Sequence, residues 1–181
     1  MKKFELTSES KINIFGKKLF RIKALISFGS VEEGETGGWV EKEENLNQSG
    51  NAWVYGDAEV YGNARVYGNA WVYGNAWVYG DARVYGDAWV YGDARVYGDA
   101  RVYGDADYTT IHGFGTQFRT TTFFRCKDKQ IRVSCGCFFG TIPEFREQVK
   151  NTRNGKIAEE YLMIADLMEK HFEIPKEKDG D

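Results

Sequence analysis

The sequence predicts a mainly β protein organised around a parallel β-helix, and three observations carry that prediction. From Asn51 to Ala106 the chain repeats G-[ND]-A-x-V-Y, with valines at Val54, Val60, Val66, Val72, Val78, Val84, Val90, Val96 and Val102, a strict period of six. No helix has that period, whereas stacked short repeats that cover each other's apolar faces do. Within A-x-V-Y the Ala and Val lie two apart, so a strand points both inward and turns the variable residue and the Tyr outward. Gly and Asn or Asp then follow, the residue types that reach positive φ at least steric cost. Each hexad is one short strand and one corner.

The repeat resembles the hexapeptide-repeat family, whose fold is a left-handed parallel β-helix with three hexads per coil. The hand, which departs from the usual right-handed crossover, and the three-hexad coil are what that resemblance implies. Residues about 18 apart then stack on one face, roughly 4.8 Å from strand to strand. One face carries Trp53, Trp71 and Trp89 and ends in Asp107. A second carries Glu59, Trp77 and Arg95, and the third Arg65, Arg83 and Arg101. Beside them run the tyrosine ladders Tyr55, Tyr73, Tyr91, then Tyr61, Tyr79, Tyr97, then Tyr67, Tyr85, Tyr103.

A chain of 181 residues has room for one repeat body with a small addition at each end. The division expected is residues 1–38 as an N-terminal cap, 39–108 as the β-helix, 109–174 as a hairpin and two-helix module, and 175–181 as a flexible tail. A net charge of -3 argues against binding of long nucleic acid. The charge is uneven, however: Tyr108 to Ile157 holds nine lysines or arginines against three acids. Three cysteines and no recognisable signal peptide point to reduced thiols in a cytoplasm. No apolar run approaches the ~20 residues of a membrane span.

Before the repeats, Ile12–Phe15 and Leu19–Ile22 flank Gly16-Lys17-Lys18, which reads as a β-hairpin. Gly37-Gly38-Trp39-Val40-Glu41 follows. Val40, Leu46 and Ala52 read as in phase with the later alanines, so an imperfect first coil begins near Trp39. A β-helix end exposes unpaired backbone and an apolar cross-section, hence the cap assigned to 1–38. The G-G-W-V-E lead-in and the segment Val133 to Ile142, with its Cys135-Gly136-Cys137-Phe138, resemble uncharacterised hexapeptide-repeat proteins of bacteria, prophages and phages. After Ala106, Thr109 to Gly115 reads as a Gly-rich exit loop. Gln117–Cys126 and Gln130–Phe138 then read as a hairpin around Lys127-Asp128-Lys129. Alternation places Arg119, Phe123 and Arg125 on one face of the first strand and Arg132 opposite the apolar face of the second, so the three arginines can share one side. Thr141-Ile142-Pro143-Glu144 is a capping box opening a helix to about Asn151. A second helix follows, with a stripe of Ile157, Tyr161, Ala165, Met168 and Phe172.

Hexapeptide acyltransferases, which resemble the chain in its coils, use a His base on a projecting loop. Here the coils contain no His; the chain's two are His112 and His171, too few for the three metal ligands of a β-helix carbonic anhydrase. Cys126, Cys135 and Cys137 with His112 meet a Cys3His count, but C-x-C on a strand reads better as apolar packing. No phosphate loop of the P-loop type occurs. No metal or cofactor is therefore expected. Arginines beside aromatic rings suit an anionic, base-containing ligand. The candidate ligand residues are Tyr108, His112, Phe114, Arg119, Phe123, Arg125 and Arg132, with Arg65, Arg83 and Arg101 as a secondary anion-binding set. The tryptophan ladder Trp53, Trp71 and Trp89 is the expected oligomer seam, and the resembling family is commonly trimeric. The function expected is a non-catalytic, homo-oligomeric binding protein of phage or prophage type that sequesters an anionic, nucleotide-derived defence signal. The alternatives are an inhibitor or scaffold for a host protein, and an acyl-CoA-dependent acyltransferase.

Overall fold

The structure is a computed structural model and describes residues 2–173; the tail expected at 175–181, and Ile174, lie outside the described residues. The hexads form nine two-residue strands: β4 (Trp53–Val54), β5 (Glu59–Val60), β6 (Arg65–Val66), β7 (Trp71–Val72), β8 (Trp77–Val78), β9 (Arg83–Val84), β10 (Trp89–Val90), β11 (Arg95–Val96) and β12 (Arg101–Val102). They pair in parallel as β4-β7-β10, β5-β8-β11 and β6-β9-β12. The register aligns Trp53 with Trp71, Glu59 with Trp77 and Arg65 with Arg83. The three faces expected from the repeat are therefore the three sheets of a β-solenoid of about four turns, and every Ala and Val of the hexads from Ala52 to Val102 is buried.

Each coil hydrogen-bonds to the next at strands and corners alike. Trp53 N–H donates to the Ala70 carbonyl (3.0 Å), Tyr55 N–H to Val72 (2.8 Å) and, at a corner, Asn69 N–H to Gly86 (2.8 Å). Corner side chains repeat the pattern: Asn51 donates to Asn69, which donates to Asp87, while Asn63 donates to Asp81 and Asn75 to Asp93 (3.0 to 3.1 Å). An amide both donates and accepts whereas a carboxylate only accepts, so Asn is the donor in each of these pairs and an Asp ends each run of bonds. The corner glycines hold positive φ; at Gly80 (φ 70°) a Cβ would also lie 3.0 Å from the Gly98 nitrogen.

The first coil begins where expected, at β3 (Thr36–Val40), but in a different phase. Val40 aligns with Val60 and Leu46 with Val66, so both take valine positions rather than alanine positions. This coil is two residues longer than the 18-residue repeat, and Gly38 occupies the alanine place, where a Cβ would lie 2.8 Å from the Ala58 carbonyl oxygen.

The N-terminal hairpin is longer than predicted. β1 (Phe4–Ile12) and β2 (Lys18–Ala24) extend the β3-β5-β8-β11 sheet. Its base closes the first coil: Phe4 and Phe28 pack edge-on against Trp53, and Lys3 Nζ donates to the Ala52 carbonyl at 2.8 Å. Burial pulls the Lys3 ammonium down to about 8. Its upper part lies along one face, where Lys11 pairs with the buried Glu59 carboxylate (2.8 Å) and Phe15 meets Tyr61, Trp77 and Tyr79. Trp53 and Tyr61, outward-facing in the coil as predicted, are thus covered.

The C-terminal region is a four-stranded antiparallel sheet rather than a loop and one hairpin: β13 (Tyr108–Phe114), β14 (Arg119–Arg125), β15 (Ile131–Cys135) and β16 (Phe138–Thr141), in that order. The stretch Thr109–Gly115, expected as a loop, largely belongs to β13. Two helices follow, α1 (Ile142–Thr152) and α2 (Gly155–His171). The predicted capping box is present: Thr141 Oγ1 accepts from Glu144 N–H, and the Glu144 carboxylate accepts from Thr141 N–H at 2.7 Å. The sheet lies between helices and coil. Phe123, Ile131 and Val133 pack on α1 and α2, while Tyr108, Phe124 and Cys126 join the solenoid core.

That placement makes the sheet a second cap, a role assigned in advance only to the N-terminus. In earlier coils Tyr73 and Trp77 N–H groups donate to the carbonyls of Val90 and Ala94. In the last coil the equivalent N–H of Tyr91 donates to the Tyr108 hydroxyl (3.3 Å) and that of Arg95 to Thr122 Oγ1 (3.1 Å). Side-chain oxygens replace the missing coil. A buried donor left unsatisfied costs about 1–3 kcal/mol. Thr122→Val, which keeps the shape and removes the acceptor, is expected to lower stability by about that amount in denaturant titration; Thr120→Val, on a half-exposed strand position, is expected to change it by less than about 0.5 kcal/mol.

Candidate anion-binding site

The ligand constellation predicted in the C-terminal module does not assemble. β14 and β15 pair Phe123 with Val133 and Phe124 with Arg132, and directly opposed residues of an antiparallel pair share a face. Arg132 therefore lies with Phe124 on the coil side, and Arg119, Phe123 and Arg125 lie on the helix side. Within-strand alternation cannot fix this inter-strand phase, which is why the sequence reading joined all three arginines. Two of them are also neutralised: Arg125 Nε reaches Asp107 Oδ1 at 3.1 Å, and Arg132 Nη2 reaches Asp128 Oδ2 at 2.7 Å. Burial alone would raise the Asp128 carboxyl, but the Gln130 N–H and the Arg132 guanidinium bring it below its ordinary value.

The aromatic members are equally dispersed. Phe123 is fully buried under the helices and Tyr108 is 6% exposed at the coil end, so neither offers a ring to a ligand. Phe114 is half-buried against α2, its carbonyl accepting from the Tyr161 hydroxyl. His112 is exposed, with Nδ1 3.0 Å from Thr120 Oγ1. Cys126 packs in the solenoid core while Cys135, on the other sheet face, accepts from Thr121. Among the described residues no group of three His, Cys, Asp or Glu side chains is placed to hold a metal ion.

The secondary candidates do come together. Arg65, Arg83 and Arg101 stand on consecutive strands of one sheet. Arg65 and Arg83 are exposed, and among the described residues neither has a carboxylate within ion-pair distance. Of the corner acids, Asp81 accepts from Asn63 and Asp99 faces Cys126. Arg101 is held in place by the carbonyls of Asp81, Asp99 and Ala100 (2.7 to 3.0 Å). Arginines one strand apart repel by roughly 1 kcal/mol per pair even in water, which an anion between them would reverse. Lys42 and Lys127 flank the same groove of about 820 Å³, shared with Glu44, Asp81 and Asp99.

At its N-terminal end this face opens into a groove of about 690 Å³ between Arg65, Arg83 and the turn carrying Asn47 and Gln48. Tyr67 lines it. In later coils the position is a stacked tyrosine, Tyr85 lying 5.0 Å below Tyr67 at 6°. In the first coil that position is Asn47, whose N–H donates to the Val66 carbonyl. Among the described residues, therefore, no ring stacks on Tyr67 from that side. Arginine forks and an uncovered aromatic edge adjoin here, an arrangement the sequence could have shown had the two-residue lengthening of the first coil been recognised.

The predicted oligomer seam is only partly exposed. Trp53 is buried beneath Phe4 and Phe28 and is withdrawn from it. Trp71 and Trp89 stack at 5.3 Å and 7°, with Trp89 45% and neighbouring Tyr91 50% exposed.

With this geometry in hand, the repeat matches a family described as the YdcK beta-solenoid repeat, over residues 58–74, 76–92 and 94–106. The match and the coils fit a β-helix repeat family. No curated protein matches the chain. Among the described residues no helix is long and apolar enough to cross a membrane.

Proposed function

We propose that the protein is a non-catalytic binding protein whose arginine face takes an anionic ligand of nucleotide type. The observation that carries this reading is the pair Arg65 and Arg83, exposed, one strand apart and, among the described residues, without a carboxylate at ion-pair distance, beside the ring of Tyr67 in a groove that Glu43 and Glu44 also line. Guanidinium forks recognise phosphate oxygens in bidentate geometry, and a tyrosine ring offers a platform for a base. The histidines lie away from this groove: His112 is on β13 and His171 packs on Phe172 at the end of α2. The resemblance of the lead-in and C-terminal segments to phage and prophage proteins adds the finer proposal, sequestration of a nucleotide-derived defence signal in a host cytoplasm.

The test is to incubate the protein with a nucleotide extract, wash, denature it and identify released molecules by mass spectrometry, then measure their affinity. The expected ligand carries phosphate, binds more weakly as salt rises, and loses at least tenfold affinity in Arg65→Ala/Arg83→Ala while Arg132→Ala binds as the parent. Equal affinity in all three proteins would sink the arginine-face reading, and release of no small molecule would move weight to a protein partner.

We further propose self-association through the stacked Trp71 and Trp89 with Tyr91. Contiguous exposed aromatic surface on a soluble chain marks interaction sites, and cyclic closure suits a repeat with one apolar face. Trp89→Asp is expected to convert an oligomer, trimeric by the family resemblance, to monomer in sedimentation velocity. A parent chain that already sediments as a monomer at tens of micromolar would overturn this.

A further inference from the structure

A second feature points to a ligand independently of the arginine face. Between the four-stranded sheet and the C-terminal end of α1 lies a cleft of about 100 Å³ bordered by Phe114, Arg119, Gly136, Phe145, Arg153 and Tyr161. Its volume equals about three waters at ~30 Å³ each, enough for one oxyanion. We propose that this cleft is a binding site for a single phosphate-type oxyanion, held between Arg119 and Arg153.

The two arginines reach the cleft from different elements. Arg119 opens β14; Arg153 follows α1, the connection to α2 passing through Asn154. Among the described residues neither has a carboxylate within ion-pair distance, in contrast to the neighbouring Arg125, Arg132 and Arg146, each of which has one. Arg153 donates Nη1 to the Thr152 carbonyl (3.2 Å) and its backbone N–H to Val149, which answers part of the exposed helix end and leaves the other guanidinium donors open. Both charges act on the same phenol: burial raises Tyr161 to about 12, and Arg153 and Arg119 pull against that rise. Both side chains border the same cleft.

Local backbone fits the same purpose. A Cβ at Gly136, which has φ of 62°, would lie 2.5 Å from Arg119 Nη1, so glycine at this turn lets the guanidinium lie across it. Phe118, just before Arg119, is a non-glycine residue at φ 48°, a conformation retained only where the surroundings impose it. Phe114, Phe138 and Phe145 also line the cleft, beside the two exposed arginines. A dianion between two arginines meets the donors in their preferred bidentate geometry.

The test is titration of inorganic phosphate into the full chain, followed by NMR of the arginine Nε–Hε groups at low salt. Saturable shifts of Arg119 and Arg153 are expected. Arg119→Gln and Arg153→Gln should each weaken binding at least tenfold, and Arg65→Ala/Arg83→Ala should leave these shifts intact, which separates this site from the arginine face. Tighter binding of a nucleoside monophosphate than of phosphate would identify the terminal phosphate of a larger molecule, and equal binding a free oxyanion; both agree with the proposal. No saturable shift at Arg119 or Arg153 in the parent protein would overturn it whatever the variants do. So would unchanged affinity in folded Arg119→Gln/Arg153→Gln.

Discussion

Everything in this molecule depends on the fixed offset by which one coil hydrogen-bonds to the next. Strand N–H groups donate to carbonyls of the following coil, and corner amides repeat the offset with their side chains. Because the partner is always one coil away, the inward Ala and Val pack as continuous columns. Any outward residue is stacked on the residue one coil away, so positions that repeat in type form ladders. Stacked tyrosines, stacked tryptophans and stacked arginines follow from this one constraint, and only the first two are stabilising by themselves.

The same constraint makes the ends the expensive part of the fold. A coil with no successor has unused N–H groups and an open apolar cross-section. The two ends are closed by different chemistry. At the N-terminal end, Lys3 turns an ammonium toward free carbonyls while Phe4 and Phe28 cover Trp53. At the C-terminal end, the hydroxyls of Tyr108 and Thr122 receive free N–H groups while Phe124 and Cys126 cover the core. The C-terminal sheet thus caps the coil with one face and packs on the helices with the other. The coil side is structural, and the helix side borders the cleft of Arg119 and Arg153.

The repeat body was legible in the sequence to the residue, because a period of six with inward Ala and Val leaves one strand phase. The three faces followed once three hexads were taken per coil. What escaped were features set by contacts between segments rather than within them. The first coil's two extra residues shift Val40 and Leu46 into valine positions without changing the local pattern. Burial of Trp53 and Tyr61 depends on a hairpin distant in sequence. Arg132 was joined to Arg119 and Arg125 because alternation is a property of one strand, while the pairing of Phe124 with Arg132 belongs to two. Tyr108 and Phe123 looked like ligand platforms because a residue's type does not reveal that a neighbouring coil or helix has already covered it. The arginine face follows the same rule: Asp81 and Asp99 are near Arg83 in sequence and border its groove, yet among the described residues neither forms an ion pair with it.

The 18-residue coil, and not the hexad, is the unit of this fold, and a pair of internal deletions distinguishes the two. Removing residues 69–86 takes out one whole coil, keeps each face in phase and presents the same last coil to Tyr108 and Thr122. Removing residues 69–80 deletes two hexads, and it moves every later residue to a different face and mismatches the N-terminal hairpin and the C-terminal sheet. The 18-residue deletion is expected to retain β-sheet circular dichroism and one cooperative thermal transition, while the 12-residue deletion loses the transition or aggregates. Equal folding of the two deletion proteins would contradict this.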